Sequence, residues 1–230
     1  MKKAYALAAL LIFLNLQIRI QNHVENRRIN VEGLKTHFLF QVGEAVNGIL
    51  AGGFRGIAAD LLWVRLDEYS HHGQWYKLLP LFKAVTFLQP QFITAWSVGG
   101  WHMAFNLYFY SKTDLEKKRW LEEGLKFLKS GLMQNSNRYE LYFELGWTYF
   151  YKAKDYPNAI RYLRHGIKYE HPQFVEHLLA HAYEKNGELK EALNVWKDIQ
   201  QRPTRNQVLD SVVNRFIHEL GEKLKEKITP

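Results

Sequence analysis

His177 and His181 stand one helical turn apart in the run FVEHLLAHAYEK and project from the same face. Two imidazoles at that spacing are able to share a metal ion. A zinc-protease helix also needs a glutamate directly after the first histidine, and here Leu178 fills that place. His71, His72, His165 and His171 make the chain histidine-rich, and Asp67–Glu68 and Glu122–Glu123 are adjacent carboxylates. These carboxylate pairs read as solvated helix faces rather than acid–base dyads. No phosphate-cradling glycine loop and no nucleophile elbow occurs. The absence of cysteine removes disulfides, thiolate ligands, cysteine nucleophiles and thioether haem attachment. Neither catalysis nor a cofactor is expected. The histidines read as surface or groove residues, with a metal site at His177, His181 and His171 as the alternative.

The elements that carry these residues are helical. The 230 residues are 47% hydrophobic and 15% aromatic, enough for a sizeable core. Six prolines and no sustained alternation of apolar and polar residues point to an all-α chain. The formal charge is +8 with a pI near 9.4, a balance that suits an acidic partner, anionic lipid or nucleic acid. The basic residues are spread out, with modest clusters at Arg27–Arg28, Lys117–Arg119 and Lys223–Lys227. No run has the density of a nucleic-acid arm, so nucleic acid is not an expected partner.

Residues 1–20 begin with Lys2 and Lys3, followed by a run from Ala4 to Leu16 broken only by Asn15. A charged start and a short apolar middle resemble a signal sequence, but no small-x-small cleavage site follows. We read residues 1–20 as an uncleaved signal-anchor, extended to Ile20 if Arg19 snorkels to the interface. The expected location is a bacterial inner membrane, single-pass, with the bulk of the chain outside the cytoplasm. Residues 21–34 read as a polar linker. A helix within 35–56 follows, with Phe38, Leu39, Val42, Val46, Ile49 and Leu50 at helical spacing before Gly52-Gly53.

From residue 57 to 204 the pattern changes to paired helices. Leu179, Ala180 and Tyr183 precede Gly187, and Ala192, Trp196 and Ile199 follow it. Leu78, Phe82 and Val85 follow Gly73 at the same offsets. Two looser copies lie between. One carries Trp96, Gly99, Gly100 and Met103, a break at Ser111–Asp114 that Thr113 or Asp114 can cap, then Gly124, Leu128 and Gly131. The other carries Tyr142, Leu145, Gly146 and Tyr149, a turn at Asp155-Tyr156-Pro157 with one extra residue, then Ala159, Leu163 and Gly166. Glycine and alanine at these positions let two helices approach. Residues 205–230 make one apolar stripe through Val208, Leu209, Val212, Phe216, Leu220 and Leu224, suited to capping an array.

The hairpin pattern resembles the tetratricopeptide repeat, a helix–turn–helix unit of roughly 34 residues. It departs from that pattern where Glu176 replaces the usual aromatic and where Pro203 arrives early. The resemblance implies an α-solenoid of four hairpins, with helices 35–56 and 205–230 as caps, that binds other proteins on a concave face lined by the first helix of each hairpin. Carried over unit by unit, that face holds Trp63 and Asp67, then Trp101 and Phe105, then Phe143, Trp147, Phe150 and Tyr151, then Phe174, His177, His181 and Lys185. Many such grooves clamp a peptide carboxylate with basic and amide residues. This one is mainly aromatic, which favours an apolar segment of a partner, with the chain's own helix at 35–51 folding back into the groove as the alternative. The expected function is a non-catalytic scaffold at a membrane or envelope complex. The alternatives are metal binding, or a glycan- or lipid-pathway accessory role in which the aromatics stack on sugar rings. The oligomeric state stays open.

Overall fold

A computed structural model describes residues 54–202 and 207–228. The expected anchor at 1–20, the linker at 21–34 and the first capping helix up to residue 53 lie outside the described residues. Among the described residues no helix is long and apolar enough to cross a membrane.

The described chain is helical, and successive helices pair as hairpins. The first comprises α1 (Arg55–His71) and α2 (Trp75–Leu88). The second comprises α3 (Ile93–Trp101), prolonged by a π-helical segment His102–Leu107 and a last turn Tyr108–Tyr110, and α4 (Asp114–Gln134). The third comprises α5 (Tyr139–Thr148), prolonged by a π-helical segment Tyr149–Ala153, and α6 (Tyr156–Gly166). The fourth comprises α7 (Phe174–Lys185) and α8 (Leu189–Gln200), and α9 (Gln207–Ile228) packs on α8. The second helix of each hairpin packs against the first helix of the next, and α3 also packs directly on α5. This is the all-α solenoid expected.

The turns explain why hairpins one and four match so closely. Gly73 and Gly187 both have positive φ, 65° and 85°. In each turn the following amide reaches back five residues, Gln74 to Tyr69 O at 2.9 Å and Glu188 to Tyr183 O at 2.9 Å. Glycine reaches the left-handed region without steric cost, and this closes the helix end. The third hairpin makes the same turn with Lys154 at φ 54°. There Asp155 N bonds Tyr149 O at 3.0 Å, one residue further back. The extra residue in the sequence of this hairpin therefore sits in a widened helical turn rather than in the loop. Of the two candidate caps, Thr113 and Asp114, it is Thr113 that caps α4, accepting from Glu116 N at 3.2 Å, while Asp114 is the first residue of the helix.

Close approach within the hairpins depends on missing side chains. A Cβ at Gly100 would fall 2.4 Å from Leu128, and one at Gly146 would fall 2.5 Å from Leu163. A Cβ at Gly124 would meet backbone, 2.9 Å from Gly100 O. In the fourth hairpin Ala180 and Ala192 are fully buried, and Trp196 is 1% exposed. The departure at Glu176 also has a structural reason. Its carboxylate accepts two hydrogen bonds from Arg202, each 2.9 Å, and lies 3.3 Å from His171 Nε2. A charged clamp from Arg202, two residues past the end of α8, holds Glu176 in place.

Candidate partner-binding face

The position of each residue along its helix decides what it touches. Trp63, on α1, is half-buried with its ring 4.8 Å from Phe92 and 6.3 Å from Phe82. It closes the seam between the first two hairpins. Asp67 is exposed, 3.5 Å from His71 Nδ1. Trp101 is 37% exposed and stacks on Phe105 at 5.9 Å. Lys152 from the third hairpin lies over Phe105 at 4.7 Å and over Tyr108 at 4.6 Å. These cation–π contacts tie the third hairpin to the second. Burial, with Lys154 nearby, lowers the pKa of Lys152.

The third hairpin carries the longest run of rings. Phe143 lies 5.8 Å from Trp147 and 4.9 Å from Phe174, and Trp147 lies 4.2 Å from Tyr151. Four rings thus run from the third hairpin onto the fourth. Tyr151 and Phe174 remain 42% and 48% exposed. Phe150, expected on the same face, is instead buried, 4.7 Å from Tyr151 and 5.5 Å from Tyr156. It lies in the π-helical segment, where the wider turn shifts it into the core beneath the other rings.

His177 and His181 are placed differently. Each ring lies 5.2 Å from Trp196, and His181 is 4.8 Å from Phe216 of α9. Trp196 and Phe216 stack at 4.8 Å, so the two histidines line the junction with the last helix. Burial lowers the pKa of both. Lys185 is exposed. Among the described residues no three His, Asp or Glu side chains gather as a metal site would require.

Two titratable residues on these helices escape a reading of the sequence. Glu144 sits between Phe143 and Leu145, one turn before Trp147, and is half-buried. Its pKa is pushed up to about 7 by burial alone. A charged residue one turn from Trp147 within an aromatic stripe is the available signal. His102 is buried, 2.7 Å from Asn106 Nδ2, and burial lowers its pKa to about 4.

No protein-family model matches the chain, and no curated protein matches it. Solved structures do. The crystal structure of TTC0263, described as a thermophilic TPR protein in Thermus thermophilus, is similar at 18% identity with a TM-score of 0.53. The match covers 77% of this chain and 96% of that one. The fold is that of a tetratricopeptide-repeat protein. The crystal structure of the MamA protein is similar at 16% identity and a TM-score of 0.50, covering 74% of this chain and 90% of that one. In the tetratricopeptide-repeat arrangement the aromatic run described above belongs to first helices, α3 and α5 with the start of α7.

Proposed function

We propose that this protein is a non-catalytic interaction scaffold that holds an apolar segment of a partner protein against the first-helix face of its second to fourth hairpins. The observation that carries the reading is the run of rings Phe143, Trp147, Tyr151 and Phe174, with the exposed Trp101 on the neighbouring hairpin. Aromatic anchors of this kind dominate interface energetics, because they bury large areas at small cost in side-chain entropy. The apolar run in residues 4–16 would tether the scaffold to a membrane and raise the effective concentration of a membrane partner.

The test places a photo-reactive residue at Tyr151 or Phe174, and at the exposed Met133 as a control, in the full-length chain in its host membrane. A partner crosslinked from the first two positions, and lost on Trp101→Ala/Trp147→Ala substitution with helicity unchanged, supports the reading. Crosslinks only from Met133, or none that depend on the tryptophans, would refute it.

A further inference from the structure

The second-helix side of the third hairpin carries a cleft of about 420 Å³, bounded by α6 and by the turn between α7 and α8. That volume lies in the range of ligand sites. Arg161, Arg164 and Lys168 line it. They follow one another at three- and four-residue spacing, so they share one side of α6 and its end. All three are exposed, and among the described residues none is paired with a carboxylate. Arg161 lies over the Tyr162 ring at 6.0 Å. The floor is apolar, formed by Ile160, which is 7% exposed, and Tyr183, which is 8% exposed. The acidic residue in the lining, Glu188, accepts a hydrogen bond from Asn186. The cleft therefore keeps an excess of positive charge above an apolar floor.

We infer that this cleft is a second docking site, distinct from the aromatic face, that takes an acidic peptide segment of a partner carrying one apolar side chain among its carboxylates. Three features favour a peptide. The cations are strung over about two helical turns, roughly 10 Å, instead of converging on one point as a single phosphate would require. The apolar floor has no counterpart in a polyphosphate or nucleic-acid backbone. A recess suits a chain, whereas a lipid headgroup layer is met by a flat or convex surface.

The test uses the full-length chain and a fluorescein-labelled heptapeptide of Glu and Asp around one central Phe, read by anisotropy at low ionic strength. The variant Arg161→Ala/Arg164→Ala/Lys168→Ala is compared with Lys126→Ala/Lys190→Ala/Lys197→Ala, which removes the same charge from exposed positions elsewhere. Saturable binding, weakened at least about tenfold in the cleft variant as for one charge-assisted hydrogen bond, supports the proposal if the control variant binds like the parent. Replacing the central Phe by Gly should weaken binding as well. Equal weakening by both variants would assign the effect to overall charge and overturn it. So would full competition by inorganic phosphate, or cleft-dependent binding of phosphatidylglycerol vesicles with no peptide binding.

Discussion

Substituting Gly124 and Gly221 by alanine should move stability in opposite directions, although both lie inside helices. Alanine is favoured over glycine in a helix by about 1 kcal/mol, so each substitution begins with that gain. Among the described residues nothing lies within 4 Å of a Cβ added at Gly221, and the gain should survive. At Gly124 the Cβ would stand 2.9 Å from Gly100 O and 3.0 Å from Ala104 N. These are backbone atoms of α3 and its π-helical extension, and they cannot rotate away. Parting the helices costs about 1–3 kcal/mol in a packed core, so after the helix-propensity gain of about 1 kcal/mol Gly124→Ala should lose about 1 kcal/mol net. For a chain of this size 1 kcal/mol is about 2–4 °C in Tm. Thermal unfolding followed by far-ultraviolet circular dichroism should show Gly221→Ala above the parent and Gly124→Ala below it. If both rise equally, the close approach of α3 and α4 is not what glycine provides.

Lys154→Gly should stabilise the third hairpin by about 0.5 kcal/mol, because relief of left-handed strain of about 1 kcal/mol exceeds the entropy cost of glycine; urea unfolding reads the difference. Glu176→Ala should cost about 2 kcal/mol by removing the paired hydrogen bonds to Arg202, and high salt should narrow the gap between variant and parent in the same assay. His102 and Glu144 should tilt the pH profile in opposite senses. The folded pKa of His102, about 4, lies below its usual value, so its contribution is intact above pH about 6.5 and is lost as pH falls towards 4. The folded pKa of Glu144, about 7, lies above the usual carboxyl value, so stability is lost as pH rises from about 4.5 through 7. Glu144→Gln should therefore raise the denaturant midpoint at pH about 8 and leave it nearly unchanged at pH about 4.

Much of the fold is legible because its turns and close contacts are written in residue types. Gly73 and Gly187 mark turns that only positive φ allows, and Thr113 marks a cap. Gly100 and Gly146 mark where two helices meet. The π-helical segments are not legible, since helical spacing assumes about 3.6 residues per turn throughout. That is why carrying the repeat's concave face over position by position assigns Phe150 to the binding face, whereas it is buried. The partner of Glu176 lies 26 residues away at Arg202, so the sequence shows a departure from the pattern without its compensation. The setting of His177 and His181 depends on where α9 brings Phe216, which local spacing does not specify.

The widened turns at His102–Leu107 and Tyr149–Ala153 have a consequence for tolerance to insertion. An additional residue in a regular α-helix rotates everything beyond it by about 100° and would pull the next helix out of its stack. A π-helical turn takes up that residue as slack, so the hairpin beyond it keeps its phase. The array then resembles a ruler whose graduations stay evenly spaced while the surface between two of them is redrawn. Changes in length can alter which side chains a partner meets without changing how the hairpins stack.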